Sequence, residues 1–395
     1  MDDEDLTPEF FADRHAAHRR WLDAGGATSV RFPDGSKGWV IARHADAKAA
    51  LTDPRLRKNA ATEVFARSRG GQQGPGRELT AHMLNSDPPQ HTRLRKLVQG
   101  AFTPRRVAGL RPRIEAITAA LLDDMATRPE VDLIPALALP LPVAVIGELL
   151  GVPDADREVF QVRGNQLTEG FGDREVSVAA ATALAEYLAE LVAAKRRDPA
   201  DDLLSALVRV HDDGDRLSDQ ELTSMAFLLL VAGHQTMVNL IANSVHALLC
   251  HPEQLDRLRA DRSALPAAIE EFLRYESPFG LATLRYAAEP VVVGDTAIAA
   301  GDFVHIGLGA ADRDPRVFAD PDRLDIGRDA GQHLAFGHGI HRCLGAPLAR
   351  LEAEVALDAL LGRFPKLRLA GAPEDVRWQQ NPRHRGVLSL PVRTD

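Results

Sequence analysis

The amino-acid sequence predicts a mainly α-helical protein with a small β region, and three observations lead to that prediction. Between residues 107 and 258 the apolar positions recur at helical spacing, with loop residues only at Pro153-Asp154 and around residues 212–215. Between residues 281 and 308 the pattern changes to short apolar runs bounded by turns. Strands do not alternate with helices as in a parallel βαβ sheet, which argues against a dinucleotide-binding fold.

The short strands and the elements that follow them can be placed one by one. Runs of valine, isoleucine and phenylalanine at residues 291–293 and 303–306 predict strands, and Gly294-Asp295 supplies a turn after the first run. Helical spacing returns from Leu348 onward. The tail at residues 386–390 predicts a closing strand.

Composition and charge narrow the class of protein. The 395 residues are 45% hydrophobic and 26% charged, so the chain can bury a large core. A formal net charge of −9 argues against a nucleic-acid-binding protein. The two cysteines, Cys250 and Cys343, are too few for a disulfide framework, as expected in a reducing cytoplasm.

No segment predicts a secretion signal or a membrane span. The first five residues are acidic rather than basic, and the apolar run 134–146 is too short to cross a bilayer and is broken by prolines. A second apolar run, 225–250, carries His234, Gln235 and two asparagines inside it. We therefore expect a soluble, cytoplasmic protein without a membrane partner.

The most informative segment is 336–345, which reads Phe-Gly-His-Gly-Ile-His-Arg-Cys-Leu-Gly. Its glycines let the backbone approach a flat group closely, and a helix beginning near Ala346-Pro347 directs N–H donors toward the Cys343 sulfur. These features predict an anionic cysteine ligand beneath a bulky planar partner. A purely structural cysteine leaves the glycines unexplained, and ligand spacing for zinc or a c-type haem is absent. A cysteine nucleophile with His341 as its base stays open.

The same segment resembles the haem-binding loop of the cytochrome P450 family, F-G-x-G-x-H-x-C-x-G, at every fixed position. The resemblance implies that Cys343 is the axial thiolate ligand of the iron of haem b. The loop residues that it assigns to haem binding are Phe336, Gly337, Gly339 and Gly345. It also implies a single P450 catalytic domain over residues 1–395, with the haem between the long central helix and the helix after the cysteine loop.

Glu271 and Arg274 lie three residues apart in a predicted helix and therefore share one face. An isolated pair of this kind is usually a solvated surface ion pair of little value, but apolar neighbours indicate a mostly buried helix. The pair resembles the family's E-x-x-R motif, whose third partner is an arginine from a downstream segment. Arg323 fits that position, although Leu324 stands where the family more often has an aromatic residue.

Haem carries two propionates, which need cationic or N–H donors. His91 and Arg95 lie four residues apart on one predicted helix face, Arg285 leads into the β region, and His341 precedes the cysteine. Taken singly, each residue could be a surface charge or a satisfied histidine. By resemblance, all four match the propionate partners of bacterial members of the family.

The segment Ala232-Gly233-His234-Gln235-Thr236 interrupts an otherwise apolar helix. A glycine and three polar side chains in such a helix lower its stability, so we expect them to have a structural or functional role. A helix crossing that needs a small residue is one explanation, and the Thr236 hydroxyl can also bond back to the carbonyl of residue 232. The segment resembles the family's dioxygen-binding stretch, so Gly233, Gln235 and Thr236 are implied as catalytic residues. Gln235 replaces the usual acid and cannot titrate, but it can orient water or contact a neighbouring segment.

These motifs together predict a haem-thiolate monooxygenase that inserts one oxygen atom from O2 into an apolar or amphipathic organic molecule by hydroxylation or epoxidation. Electrons would come from NAD(P)H through a separate ferredoxin and ferredoxin reductase, docking near Arg342 and Arg350, and we expect a monomer. Forty-one arginines against six lysines, with abundant alanine, suggest a GC-rich genome and hence tailoring of a secondary metabolite such as a polyketide or macrolide. Alternatives are a peroxide-driven peroxygenase, a haem-thiolate sensor and, more remotely, a cysteine hydrolase.

The substrate pocket is predicted from position along the chain. Candidate lining residues are Leu228, Ala232, Leu281 and Ala282. Residues 70–76 and 160–172 are predicted to be movable covers.

Overall fold

The computed structural model describes residues 3–59, 77–169, 174–210 and 215–395, and it confirms a mainly helical fold with small β-sheets. The α-helices are α1 (Pro8–Ala12), α2 (Arg14–Ala24), α3 (His44–Thr52), α4 (Arg77–Thr80), α5 (Gln90–Ala101), α6 (Pro104–Gly109), α7 (Arg111–Met125), α8 (Pro140–Leu150), α9 (Arg157–Glu169), α10 (Arg174–Arg197), α11 (Leu203–Arg209), α12 (Asp219–Cys250), α13 (Pro252–Ala260), α14 (Leu265–Tyr275), α15 (Leu308–Ala311) and α16 (Ala346–Arg363). The strands are β1 (Glu4–Asp5), β2 (Ala27–Arg31), β3 (Lys37–Ile41), β4 (Leu56–Arg57), β5 (Glu130–Asp132), β6 (Arg285–Ala287), β7 (Val291–Val293), β8 (Thr296–Ile298), β9 (Phe303–Ile306), β10 (Arg368–Leu369) and β11 (Pro391–Arg393).

The central helix α12 is the longest element in the described part of the chain, at 32 residues. It begins with a capping box, in which Ser218 accepts from the Glu221 backbone N–H and the Glu221 carboxylate accepts from the Ser218 N–H. Its length and hydropathy would suffice to cross a membrane, but 72% of its most apolar window is buried within the protein. The helix is therefore the core around which the largest apolar cluster packs.

The sheets bring distant parts of the chain together near the cysteine loop. The largest sheet has the order β1-β2-β3-β9-β6-β4, with β3 and β9 parallel and the β9-β6-β4 part antiparallel. A second sheet has the order β10-β11-β5. The predicted strand β7 and turn at Gly294-Asp295 are present, and the turn leads into a strand that was not predicted, β8, which pairs with β7 as a hairpin. Helix α16, which follows the cysteine loop, contacts the central helix α12.

The predicted strand at residues 386–390 is wrong, because the closing strand is β11 at Pro391–Arg393. The Asp132 carboxylate explains the displacement. It accepts the Leu390 backbone N–H at 2.9 Å and the Ser389 hydroxyl at 2.7 Å. Earlier in the stretch, Val387 forms an isolated antiparallel bridge with Trp378, so residues 386–390 do not form a continuous strand. Of the predicted covers, residues 70–76 and 170–172 lie outside the described residues, and 160–169 belong to α9.

Candidate active site

The cysteine loop is a tight turn that ends at the first residue of helix α16. The Cys343 backbone N–H donates to the Phe336 carbonyl at 2.9 Å, which closes the loop. Gly337 and Gly339 have φ angles of +68° and +73°, a region that glycine adopts without strain. At Gly339 a Cβ atom would also lie 2.7 Å from Thr52 Cγ2, so only glycine lets the loop pack against α3.

The thiol of Cys343 faces two backbone donors at the beginning of α16. Enclosure by protein raises the pKa of the thiol, and hydrogen bonds from the Gly345 and Ala346 N–H groups and the charges of Arg95 and Arg342 oppose that rise. The sequence predicted that the N-terminus of α16 would lower the pKa of this thiol. That contribution is present, but desolvation of the sulfur by the surrounding protein outweighs it, although the residue as a whole is exposed.

The hydrolase alternative needs His341 as a base for Cys343, and the geometry disfavours it. The His341 ring packs against the His91 ring with centroids 4.4 Å apart. Burial, followed by the charges of Lys58, His91, Arg285 and Arg95, lowers the pKa of His341 to about 2. Its imidazole is therefore a poor proton acceptor.

The Glu271–Arg274 pair lies on α14 as the spacing predicted, and both side chains are 0% exposed. Arg274 Nε and Nη2 donate to the two Glu271 carboxylate oxygens at 2.7 and 2.8 Å. Arg274 Nη1 donates to the carbonyls of Asp312 and Pro321, so the buried pair is hydrogen-bonded on its outer side too. The Asp312 carboxylate accepts the Leu334 N–H at 2.5 Å, which connects this network to the start of the cysteine loop.

The third partner of this pair is Arg328, not Arg323 as predicted. Arg328 Nε lies 3.3 Å from Glu271 Oε1, whereas the Arg323 side chain is exposed. Arg323 contributes its backbone carbonyl instead, which accepts from Arg274 and from Arg328. Residues 320–328 follow an irregular path that turns the Arg328 side chain toward Glu271 and leaves the Arg323 side chain at the surface. The order of these residues in the sequence does not predict that path.

A second ion pair, missed in the sequence, lies beside the first. Arg350 of α16 donates to both Glu270 oxygens at 2.6 and 2.7 Å, and its guanidinium lies 4.5 Å from the Phe336 ring centroid. His333 lies 3.1 Å from Glu270 Oε2. Arg350 therefore holds the loop to α14 through Glu270, and its expected role as a docking charge stays a prediction. The Arg342 side chain is exposed and forms no ion pair among the residues described.

The four predicted propionate partners come together on one side of the cysteine loop. His91 is buried against His341, and Arg95 Nη2 donates to the Arg342 carbonyl at 2.9 Å. Arg285 is 3% exposed, and in the part of the chain that the structure describes its Nη1 atom has no hydrogen-bond partner. Burial lowers the pKa of Arg285 to about 10.

Sequence reasoning missed one member of this group, Lys58, which is 2% exposed. Its charge lowers the pKa of both His91 and His341. No local signal identifies it, because its neighbours in the group come from elements far away in the sequence.

On the central helix, Thr236 Oγ1 donates to the Ala232 carbonyl at 2.7 Å, as its spacing predicted, and the helix remains continuous. A Cβ atom at Gly233 would lie 3.1 Å from Ile146 Cδ1 of α8, so the glycine serves a close helix crossing. Both explanations given for this segment therefore have a counterpart in the structure.

Gln235 is 8% exposed and points toward the C-terminal segment. Its Nε2 donates to Asn239 Oδ1 at 2.9 Å, and Gln379 Nε2 donates to the same oxygen at 3.3 Å. A Cβ atom at Gly386 would overlap this asparagine, so the glycine makes room for it. Asn239 was missed, although its spacing of four residues from Gln235 was visible in the sequence.

The four predicted pocket residues are not equivalent. Ala232 is exposed, whereas Leu228, Leu281 and Ala282 are buried. Leu281 packs in the apolar cluster that includes Phe10 of α1, so it belongs to the core around the N-terminal helices. Contact of these residues with a substrate stays a prediction.

Comparison with known proteins decides the family. Residues 173–392 match the family described as Cytochrome P450. The chain is 52% identical to Cytochrome P450 107B1 of Saccharopolyspora erythraea over 97% of its own length and 96% of that protein. It is 45% identical to 6-deoxyerythronolide B hydroxylase of the same organism over 98% and 97%. This protein is a cytochrome P450.

The solved structures agree with the sequence relatives. The ligand-free P450 monooxygenase TamI superposes with a TM-score of 0.92 at 47% identity, covering 100% of this chain and 94% of TamI. As a member of this family, the chain is a haem-thiolate monooxygenase, in agreement with the resemblance of its cysteine loop.

The residues present fit a haem. Cys343 is a soft sulfur ligand with two N–H donors, and the neighbouring cations leave Arg285 Nη1 buried without an acceptor, as two propionates would require. Among the described residues no group of three or more His, Cys, Asp or Glu side chains could hold a metal ion. A single thiolate ligand to a cofactor iron agrees with that finding.

Proposed function

We propose that this P450 oxygenates a polyketide or macrolide-type secondary metabolite. The observation that carries the oxygenation chemistry is that the Cys343 thiol accepts from two N–H groups at the start of α16, a helix that contacts the central helix α12, which bears the Thr236 hydroxyl. Two relatives support the substrate class by name, the 6-deoxyerythronolide B hydroxylase and PksS of polyketide biosynthesis from Bacillus subtilis.

Each group of residues has a defined part. Bound haem would supply the activation of dioxygen. Cys343 would ligate the iron, with the Gly345 and Ala346 N–H groups stabilising its thiolate, and His91, Arg95, Arg285 and His341 would hold the propionates. Thr236 would hold a proton at Oγ1 for delivery through water, and Gln235 would fix that water through its amide oxygen, since its amide nitrogen is committed to Asn239.

The remaining proposals concern the setting of the reaction. Electrons would arrive from NAD(P)H through a ferredoxin and its reductase, which would dock near the exposed Arg342. We also propose a cytoplasmic monomer without a membrane partner, and the net charge of −9 supports the absence of a nucleic-acid partner.

The decisive experiment is the absorption spectrum of the reduced protein with carbon monoxide, compared between wild type, Cys343→Ala and Cys250→Ala. We expect a strongly red-shifted haem band in the wild type and in Cys250→Ala, and none in Cys343→Ala. A haem without this band in the wild type would contradict thiolate ligation. Purified protein that binds no haem after supplementation would overturn the assignment.

Substrate class and oxidant need a second experiment. With a surrogate ferredoxin system, we expect a macrolactone such as 6-deoxyerythronolide B to shift the spin state of the haem and to be oxygenated in an NADPH-dependent manner. Turnover with hydrogen peroxide alone would favour the peroxygenase instead. Spectral shifts without any product would favour the sensor.

A further inference from the structure

Lys58 lies just after strand β4, fully buried and held at both ends. Its backbone N–H donates to the Asp87 carboxylate at 3.1 Å, and its Nζ donates to the Thr283 hydroxyl. Thr283 lies two residues before Arg285, at the entry to strand β6. The ammonium group is thereby fixed inside the protein instead of extending to solvent, which is unusual for lysine.

The lysine lies beside another buried cation. Strand β4 pairs antiparallel with β6, with Leu56 opposite Ala287 and Arg57 opposite Tyr286, so continuing the register by one residue places Lys58 beside Arg285. Like charges in such neighbouring positions destabilise a sheet, and both of these are desolvated. Burial, then the charges of Arg285 and Arg383, lower the pKa of Lys58 well below its ordinary value.

The described residues supply too little negative charge to balance Lys58 and Arg285. Among the described residues, Asp87 is the acid that opposes the charges of Lys58 and Arg285. Its carboxylate already accepts the backbone N–H groups of Lys58 and Asn59. Arg285 Nη1 is buried and has no hydrogen-bond partner among the described residues. Buried charges are normally paired, so the arrangement requires an anion with acceptor oxygens.

We propose that Lys58, anchored by Thr283, binds a carboxylate beside Arg285 in the haem pocket, an inference that rests on the proposed function. The carboxylate has two possible sources, a haem propionate or an acidic group of the substrate. Lys58 is not among the four residues matched to the family's propionate partners. It would act as a positioning residue, and it would also favour the reduced haem because a nearby positive charge stabilises the less positive iron state.

The test compares the haem-loaded variants Lys58→Met, Lys58→Arg and Lys48→Met, where Lys48 is an exposed lysine of α3 and serves as the matched control. Two readouts address the propionate: the midpoint potential without substrate and the rate of haem transfer to apomyoglobin. If Lys58 binds a propionate, we expect Lys58→Met to shift the reduction equilibrium of the haem roughly tenfold toward the oxidised form. For one electron this lowers the midpoint potential by about 59 mV. Haem transfer accelerates, whereas Lys58→Arg and Lys48→Met stay near wild type.

The second arm addresses the substrate. Spectral titration with myristate and with its methyl ester separates recognition of a carboxylate from recognition of an apolar chain. If Lys58 binds a substrate carboxylate, Lys58→Met weakens myristate binding about tenfold, leaves the ester unaffected, and leaves the potential and haem transfer unchanged. The proposal is overturned if Lys58→Met matches Lys48→Met in every readout.

A third variant covers the case in which Lys58→Met takes up little haem. Thr283→Val keeps the charge but removes the anchor, and we expect it to change the same readout in the same direction by a smaller factor. No effect of Thr283→Val in any readout would then overturn the proposal. All variants are measured on protein that shows the thiolate band with carbon monoxide, so failure of this inference is distinct from failure of the proposed function.

Discussion

Two groups of buried charges flank the cysteine loop, and they differ in how completely they are paired. In the network on α14, Glu271 and Arg274 satisfy one another and the backbone of residues 312–325. In the group around Lys58 and Arg285, cations outnumber acids within the described ranges, and one guanidinium nitrogen has no acceptor there. Charges that are internally satisfied build structure, whereas charges that lack a counterpart indicate a ligand.

The largest effect should follow from breaking the satisfied network. Glu271→Ala leaves Arg274 as an uncompensated buried charge, so we expect a loss of about 3–5 kcal/mol in the free energy of unfolding, together with poor haem incorporation. Denaturant unfolding measures this loss. Asp123→Ala, which removes an exposed ion pair with Arg363, is the control and should cost at most about 1 kcal/mol. Equal effects of the two variants would contradict the structural role of the network.

Glu270 offers a pH-dependent test of the same region. Burial raises its pKa, but hydrogen bonds from Arg350 and His333 prevail and lower it from 4.5 to about 2. Because the folded-state pKa is depressed, the stabilisation is fully present above pH 4.5 and is lost as the pH falls toward 2. We expect Glu270→Gln to cost about 1–3 kcal/mol at pH 7 and progressively less in acid.

Unfolding of Glu270→Gln between pH 7 and pH 3 checks this dependence. Glu186→Gln, at an exposed position of α10, should change stability little at any pH. A Glu270→Gln effect that is constant with pH would show that the charge of Glu270 does not matter to the fold.

In the group around Lys58 and Arg285, we expect Arg285→Met to affect haem retention more than the stability of the fold, the reverse of Glu271→Ala. Arg285→Met removes a charge without a full set of partners, so the fold should tolerate it, while haem transfer to apomyoglobin should accelerate about tenfold or more. Arg323→Met is the matched control, because the hydrogen bonds of Arg323 to the described residues are made by its backbone and its side chain is exposed. If Arg285→Met destabilised the protein as strongly as Glu271→Ala, the contrast between the two groups would be lost.

Arg342 and Arg350, which the sequence predicted as equivalent docking charges, also differ in whether an acid pairs with them. Arg350 is committed to Glu270, whereas Arg342 is exposed. We expect Arg342→Ala to slow transfer of the first electron from ferredoxin a few-fold at low salt and to reduce its salt dependence, with stability unchanged. Stopped-flow reduction measures the rate. An unchanged rate at low salt would place the docking surface elsewhere.

The sequence predicted contacts between residues that lie close together along the chain and missed contacts between residues that lie far apart. The cysteine loop, the Glu271–Arg274 pair and the Thr236–Ala232 bond are local patterns with fixed geometry, and the structure contains all of them. Arg328 and Lys58 depend on how irregular segments meet, 57 and 225 residues away from their partners. Helical periodicity carries no information on such contacts.

We expect the smallest effect on stability at Gln235, whose side-chain amide bonds to that of Asn239 on the central helix. Gln235→Glu removes the donor to Asn239 Oδ1. Rotation of the Asn239 amide would present Nδ2, which has no partner among the described residues, to the new carboxylate, and Gln379 Nε2 would lose its acceptor. The rearrangement should cost about 1 kcal/mol and leave haem incorporation intact. A carboxylate beside Thr236 can carry a proton where an amide cannot, so the ratio of product formed to NADPH consumed should change and become pH-dependent. Gln235→Ala, which lacks both properties, separates proton transfer from packing. If Gln235→Glu abolished haem incorporation, the amide would be holding the helix to the C-terminal segment and would have no part in proton delivery.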